Sequence, residues 1–352
     1  MRMTCISAAA FSAALLGAGI AGADTVNLVF SHPNMAPGEE VFMYAVPQAM
    51  GYFAEEGIDV QMQAASGGAQ AAQVVLSGAG DLSTTMAEGV LQLREQGAEL
   101  TAIYELKRYN GFSIGIPQGS DIQTLADLQG RTIGFPVAGG GVAMIVDESF
   151  RMAGLEPDYT AVVTGSGAPA AAAVSNGQVD AIVLWDAAFG VIENQGLAFD
   201  YIDLGVQNEL AGMSLVARND FLAERRDDAV AYCRAMTRGL VFTLANREAA
   251  IDIMFDVFPT TLPADSDRAA AIPGQVNILN KWLASALRNL PEGAPTGEID
   301  PSRWAETAER YLAAGLIGSD ETEGAFDTSF FAECNDFDRE AVIAQAQAYQ
   351  MH

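Results

Sequence analysis

The sequence is poor in histidine, cysteine and positive charge, and each shortage excludes a class of function. Among 352 residues there are 2 histidines and 3 cysteines. A zinc site with four histidine or cysteine ligands is therefore nearly excluded, and most histidine-based catalysis could use only His32. Lysine and arginine total 18 against 45 acidic residues, which gives a net charge of −27. Nucleic acid and anionic membrane surfaces are poor partners for such a chain.

The first 23 residues have the features of a secretory leader. Arg2 is followed by an apolar run over residues 6–20, and Ala21-Gly22-Ala23 ends the run. A charged start, a short apolar middle and an A-x-A end predict a cleaved signal peptide, with cleavage after Ala23. The run is too short to span a bilayer comfortably, and no second run of 18 apolar residues follows. We therefore expect a secreted, soluble mature chain.

Two cysteines, Cys233 and Cys334, remain after the leader. An oxidising compartment would permit a disulfide between them. Cys233 also falls within a helical pattern over residues 229–244, where it could simply be part of the core. The sequence leaves both possibilities open.

The chain after the leader alternates between strand and helix patterns. Short apolar or period-two segments predict strands, and small or amphipathic segments between them predict helices. The expected strands are 26–30, 58–62, 81–85, 100–106, 112–116, 131–135, 159–163, 179–185, 198–202 and 212–217. Strands that alternate with helices of about ten residues predict mainly parallel pairing in an α/β fold.

The alternation restarts near residue 112 and gives way to helices after residue 217, which predicts two lobes. The first lobe is expected to comprise residues 24–108 and 212–352, including a helical C-terminal tail, and the second lobe residues 109–211. The tail is expected to be mostly helical over 219–258 and 275–350. Prolines at 259, 263, 273, 291, 295 and 301 are expected to break its helices.

Four ordered motifs resemble a known family. They are the stretch 51–60 (GYFAEEGIDV), the step 77–82 (SGAGDL), the step 125–134 (LADLQGRTIG) and the step 176–181 (NGQVDA). In this order they resemble periplasmic solute receptors of ABC importers, in the branch that binds thiamine-precursor pyrimidines, taurine and other sulfonates, and nitrate. The resemblance covers about residues 25–205.

The resemblance implies a type II periplasmic binding protein, in which two α/β lobes close like a hinge on a small molecule. It further implies a periplasmic monomer that delivers its ligand to an ABC permease in the inner membrane, with no catalysis. No cofactor is expected, and the shortage of histidine and cysteine predicts no bound metal. A periplasmic sensor would have the same fold and cleft, so the sequence does not separate the two roles.

Candidate ligand-binding residues follow from the rule that open α/β lobes bind ligands beyond the carboxyl ends of their strands. Glycines at helix N-termini let a ligand approach free N–H groups there. The candidates are His32, Asn34, Ser66, Gly67, Gly68, Thr84, Thr85, Glu88, Gly139, Gly140, Gly141, Trp185 and Asp186.

Each candidate also has a structural interpretation. The glycines could simply make turns, Trp185 could be core, and His32 could be solvated. The residues around the expected cleft include the acids Glu39, Glu40, Glu88 and Asp186 but few cations. We therefore favour a flat heterocycle such as an aminopyrimidine, stacked on Trp185 and held by Asp186 or Glu88, over a small sulfonate or carboxylate.

An enzyme is the less favoured alternative. Pyrimidine-synthesising enzymes of thiamine biosynthesis resemble the same branch, and they use pyridoxal phosphate on a lysine, and iron. A secreted chain with two histidines and few lysines fits that chemistry poorly. A serine hydrolase is also unsupported, because the sequence has no G-x-S-x-G motif.

Overall fold

A computed structural model describes residues 23–32, 35–138, 140–202, 204–206 and 209–352. All but the last residue of the predicted leader, and the candidates Asn34 and Gly139, lie outside these ranges. The described part is built on two sheets, each flanked by helices.

The first sheet has the strand order β2-β1-β3-β10-β4. Strands β1 to β4 run in the same direction, and β10 lies antiparallel between β3 and β4. Its strands are β1 (Asp24–Phe30), β2 (Ile58–Ala64), β3 (Leu82–Met86), β4 (Leu100–Glu105) and β10 (Met213–Arg218).

The second sheet has the order β7-β6-β8-β5-β9, in which β5 is the antiparallel strand. Its strands are β5 (Phe112–Pro117), β6 (Arg131–Phe135), β7 (Tyr159–Val163), β8 (Ala181–Trp185) and β9 (Phe199–Ile202). In both sheets four strands are parallel and one is antiparallel, which agrees with the predicted mainly parallel α/β lobes.

The chain crosses between the sheets along two adjacent segments. It leaves the first sheet after β4 and returns as β10, and the N–H groups of Leu106 and Lys107 both donate to the carbonyl of Met213, at 2.8 and 3.0 Å. A Cβ atom at position 212 would lie 2.0 Å from the carbonyl oxygen of Lys107. Only glycine allows the two crossing segments to approach this closely.

Helices connect the strands of both sheets. After a π-helical turn at Val41–Ala45 they are α1 (Val46–Ala49), α2 (Tyr52–Glu55), α3 (Gly68–Leu76), α4 (Ala87–Glu95), α5 (Gly140–Met152), α6 (Ala168–Ser175) and α7 (Asp186–Glu193); a 3₁₀ turn covers Leu125–Leu128. Gly51 follows α1 with a φ of 76°, a left-handed conformation that glycine adopts at little cost and that ends the helix.

The helices after β10 cover both sides of the first sheet. They are α8 (Asn219–Glu224), α9 (Arg226–Ala245), α10 (Arg247–Val257), α11 (Arg268–Ala286), α12 (Pro301–Ala313), α13 (Phe330–Cys334) and α14 (Arg339–Ala348), with a 3₁₀ turn at Pro259–Thr261. Within the described residues, none of these helices combines the length and hydropathy needed to cross a bilayer.

One expectation about the tail is wrong. Pro273 lies inside α11 rather than ending a helix. It is the sixth residue of the helix, so its missing N–H removes one hydrogen bond early in α11 without ending the helix. Pro301, by contrast, begins α12, where its fixed φ suits the first turn.

The helices α11 and α12 each join the two lobes. Lys281 Nζ of α11 lies 2.8 Å from Glu193 Oε1 of α7. Arg310 Nη1 of α12 lies 3.6 Å from Glu148 Oε1 of α5. An apolar cluster runs continuously from the first sheet through α12 to the second lobe, and it includes Trp304 and Phe150. The tail is therefore shared by both lobes.

A disulfide joins α9 to α13. Cys233 and Cys334 have Cα atoms 5.2 Å apart, are separated by 101 residues, and are both fully buried. The structure thus decides a pairing that the sequence left open. Closing a loop of about 100 residues removes on the order of 4–5 kcal/mol of chain entropy from the unfolded state.

We expect the double variant Cys233→Ala/Cys334→Ala to lose about 2–5 kcal/mol of unfolding free energy, because its unfolded chain is no longer cross-linked. Urea denaturation of both proteins measures the loss. Dithiothreitol should lower the midpoint of the wild-type protein and leave that of the variant unchanged. Equal midpoints for the oxidised wild type and the variant would show that the bridge does not stabilise the fold.

Candidate functional site

The carboxyl ends of strands in both sheets lead directly to candidate residues. From the first lobe, β1 leads to His32, and β3 leads to Thr84 and Thr85 and then directly into α4. Thr84 Oγ1 lies 3.5 Å from Ser31 Oγ, so the ends of β1 and β3 meet. From the second lobe, β8 ends at Trp185 and continues into α7.

Glu88 and Tyr311 meet the start of α5 where the lobes touch. A Cβ atom placed on Gly141 would lie 3.3 Å from Tyr311 Oη and 3.5 Å from Glu88 Oε1. Tyr311 is 1% exposed, and its hydroxyl has no hydrogen-bond partner among the described residues. The first N–H groups of a helix such as α5 also lack intrahelical acceptors. The Tyr311 hydroxyl and the first N–H groups of α5 are therefore hydrogen-bond donors close to the carboxyl group of Glu88.

Burial controls the ionisation of this pair. Partly buried Glu88 has its pKa raised to about 7 by loss of solvent. Burial, and secondarily the charge of Glu88, also raise the pKa of Tyr311, so its hydroxyl keeps its proton. At neutral pH Tyr311 is thus a hydrogen-bond donor, and Glu88 exists in both protonated and ionised forms.

The candidates on the next loop and helix flank Thr85. A Cβ atom on Gly68 would lie 3.5 Å from Thr85 Oγ1, so the start of α3 is next to the end of β3. The N–H of exposed Ser66 donates to Gln70 Oε1 at 2.6 Å and is therefore already used. Gly67 precedes α3 directly. These residues lie at one end of the first sheet, as the sequence predicted.

Trp185 and Asp186 have different environments although they are adjacent. The Trp185 side chain is 36% exposed, and its ring contacts Phe112 edge-on at a centroid distance of 6.3 Å. Asp186 instead accepts hydrogen bonds from Lys107 Nζ, at 3.0 and 2.9 Å, and from Ser285 Oγ. Its carboxylate joins the lobes, so the acceptor expected for a ligand is already satisfied by protein groups.

The basic residue Lys107 is deeply buried. It is 6% exposed, and its Nζ lies 4.6 Å from the ring centroid of Trp282. The ion pair with Asp186 offsets the cost of burying the charge. Local sequence patterns do not predict this partner, because the two residues are 79 positions apart.

His32 lies between two buried carboxyl groups, Glu39 and Glu40. His32 Nε2 is 3.3 Å from Glu39 Oε1, and His32 Nδ1 is 3.5 Å from Glu40 Oε1. Burial opposes ionisation of Glu39, but the hydrogen bond and charge of His32, with help from Lys107, lower its pKa overall. Burial and then the charge of Glu39 raise the pKa of Glu40 to about 8.

The contacts link some of the predicted residues. Glu88 and Gly141 meet across the lobes, Thr85 lies beside Gly68, and Asp186 pairs with Lys107, the basic residue near Glu39. Sequence analysis missed Tyr311, Trp282 and Ser285, which contact Gly141, Lys107 and Asp186 from helices in the tail.

Comparison with known proteins identifies relatives of this chain. The family model described as NMT1/THI5 like matches residues 40–250. A riboflavin-binding protein of Chloroflexus aurantiacus is 27% identical over 307 residues, which cover 84% of this chain and 83% of the relative. A formylaminopyrimidine-binding protein of Halalkalibacterium halodurans is 24% identical over 241 residues, which cover 66% and 70%.

The solved structures share the fold. The periplasmic aliphatic sulphonate binding protein of Escherichia coli superposes with a TM-score of 0.66 at 16% identity, over 86% of this chain and 91% of the other. Relatives and neighbours named in these comparisons are ligand-binding proteins, several of them components of import systems.

The environment of Glu88 predicts a pH dependence of stability. Its ordinary pKa of 4.5 applies to the unfolded chain, and its folded pKa is about 7. As the pH rises between these values the unfolded chain loses the proton while the folded chain keeps it, so this group lowers the unfolding free energy. We expect Glu88→Gln to gain stability relative to wild type between pH 5 and pH 8, on the order of 2 kcal/mol.

Urea denaturation at several pH values measures this difference. Glu321→Gln, a change at an exposed acid on a loop, serves as the control and should follow the wild-type profile. A constant difference between Glu88→Gln and wild type from pH 5 to pH 8 would show that Glu88 is not buried in the folded protein.

Proposed function

The chain belongs to the NMT1/THI5-like family, and from that premise we propose that it is a periplasmic solute receptor of an ABC importer whose ligand is a flat nitrogen heterocycle. The ligand would lie between the lobes and be delivered to a permease in the inner membrane. The observation that carries the choice of ligand is the pairing of Glu88 with the unpartnered hydroxyl of Tyr311 at the point where the lobes meet.

This pair suits one edge of a heterocycle. The carboxyl group of Glu88 can accept from a ring N–H or an exocyclic amine, and the hydroxyl of Tyr311 can donate to a ring nitrogen or carbonyl. The N–H groups at the start of α5 offer further donors. A ligand with a donor beside an acceptor would satisfy all of them, and it would relieve the cost of leaving the Tyr311 hydroxyl buried without a partner.

The charge of the cleft favours the same class of ligand. A sulfonate or nitrate would bring a permanent negative charge close to the ionised Glu39 and the partly ionised Glu88, whereas the nearby Lys107 already pairs with Asp186. Like charges in a partly buried site repel strongly because the local dielectric constant is low. A neutral or weakly cationic heterocycle avoids this repulsion.

Trp185 would form an aromatic wall of the site. Its ring is partly exposed at the end of β8, and the edge contact with Phe112 leaves a ring face available. Aromatic rings stack on flat heterocycles regardless of their substituents. His32, Ser66, Gly67, Gly68, Thr84 and Thr85 would complete the first-lobe side, as the sequence analysis predicted.

The relatives named for their ligands support this choice. Both the riboflavin-binding and the formylaminopyrimidine-binding proteins are named for nitrogen heterocycles. The sulphonate-binding neighbour shares the fold at 16% identity, which is too little to carry its ligand over.

We place the hinge at the paired crossings near residues 104–112 and 203–216, with the first lobe at residues 24–108 and 212–352 and the second at 109–211. The contacts of Lys281 with Glu193 and of Arg310 with Glu148 would hold the lobes together in the closed form. Closure would present both lobes to the permease.

We expect heterocycles to raise the melting temperature and small anions to leave it unchanged. A ligand present at about 100 times its Kd adds roughly 2.7 kcal/mol of stability. A thermal-shift screen would compare riboflavin, formylaminopyrimidine and aminopyrimidines with taurine, an alkanesulfonate and nitrate. Stabilisation by a sulfonate or nitrate alone would overturn the choice of ligand and leave the receptor role in place.

We expect Trp185→Ala to weaken binding of the best heterocycle by about 1–3 kcal/mol, because the ligand loses its stacking surface. Isothermal titration calorimetry measures the change. Met152→Ala removes a similarly exposed apolar side chain at the far end of α5 and should bind as the wild type does. Unchanged affinity in a folded Trp185→Ala variant would remove Trp185 from the site.

A further inference from the structure

We propose that His32, Glu39 and Glu40 form a binding site for a divalent metal ion at the carboxyl end of β1. One potential ligand atom from each of the three side chains lies within 4.8 Å of the other two. This inference departs from the expectation of no metal, which rested on the small number of histidines. It does not depend on which heterocycle the cleft accepts.

The spacing of the ligand atoms fits a small metal ion. His32 Nε2 and Glu39 Oε1 are 3.3 Å apart, and His32 Nδ1 and Glu40 Oε1 are 3.5 Å apart. Two ligands of a tetrahedral zinc ion, each about 2.0–2.1 Å from the metal, are separated by about 3.4 Å. These two distances involve opposite nitrogens of the ring, of which one can bind a given ion. One ring nitrogen and one oxygen from each carboxyl group lie within 4.8 Å of one another, so the three can converge on one ion after side-chain rotation.

The charge balance also favours a divalent cation. Glu39 is 6% exposed and Glu40 is 1% exposed, so two carboxyl groups share a space with little water. The protein supplies a hydrogen bond from the N–H of Ala36 to Glu40 Oε1, at 3.0 Å, and the positive charge of Lys107, which is already paired with Asp186. A neutral imidazole donates one hydrogen bond only. The two positive charges of a divalent cation would balance the negative charges of both carboxylates.

The surrounding residues shape the site and leave one of its ligands partly exposed. A Cβ atom on Gly38 would lie 3.0 Å from Glu40 Oε2 and 3.3 Å from Trp282 Cδ1, a tight approach that glycine makes without displacing either side chain. The side chain of His32 is 34% exposed. Three protein ligands with an open fourth position are typical of zinc sites that also contact a bound molecule. An ion here could therefore touch the cleft's ligand directly.

The chemistry of the three ligands narrows the choice of metal ion. One imidazole and two carboxylates suit zinc and similar first-row ions better than calcium, which takes six to eight oxygens. Zinc is the suitable probe because it has no redox chemistry. The experiment needs only one histidine control, because His352 is the single other histidine in the sequence.

The test is calorimetric titration of zinc chloride into chelator-stripped protein, with a large excess of Mg²⁺ to occupy weak acidic surface sites. We expect one zinc ion per chain in wild type, and a loss of affinity of at least about tenfold in His32→Gln and in Glu40→Gln, since each removes a ligand. His352→Gln is the matched control and should bind as wild type does. Circular dichroism checks that each variant is folded.

Three results would overturn the site: no saturable zinc binding by wild type, equal binding by folded His32→Gln, or loss of binding in His352→Gln. As a second readout, zinc should raise the melting temperature of wild type but not of His32→Gln. The heterocycle screen is repeated with chelator present. Heterocycle binding without zinc binding rejects the metal site alone, and zinc binding without heterocycle binding rejects the proposed ligand alone.

Discussion

The structure depends on the side-by-side passage of its two crossing segments. Both backbone N–H groups that follow β4 donate to Met213, and Gly212 lets the carbonyl of Lys107 approach where any side chain would clash. Because β10 returns antiparallel beside β4, the second lobe is attached at one edge by two adjacent strands. Because open α/β sheets bind ligands beyond the carboxyl ends of their strands, we expect the ligand cleft between the two sheets.

Electrostatics give that cleft its chemical character. Lys107 lies in one of the crossing segments, and Asp186 of the second lobe neutralises its charge. The ion pair therefore holds the lobes together and leaves little positive charge to attract an anion. What remains is a set of buried carboxyl groups whose pKa values are pushed apart by burial and by each other: Glu39 downward, Glu40 and Glu88 upward. In the proposed site, such groups would favour ligands that donate hydrogen bonds or carry positive charge.

The sequence predicts most of the framework because local patterns determine it. The strands β6 and β7 have the predicted bounds, and ordered motifs identify the family. The exceptions are contacts between residues far apart in the chain. Ser285 reaches Asp186 across 99 positions, and Tyr311 reaches Gly141 from a helix that sequence marks only as amphipathic. The sequence predicts a helix break at Pro273 because composition does not show that a helix has already begun at Arg268.

The C-terminal tail, whose role the sequence left open, links the two lobes. Its helix α11 contacts α7 through Lys281 and Glu193, and its helix α12 contacts α5 through Arg310 and Glu148. Each partly exposed pair contributes little on its own. In the proposed receptor, pairs that break on opening would favour the closed state before a ligand arrives. A ligand would then need less of its own binding energy to close the lobes, because a binding-competent state that is already populated costs less to reach.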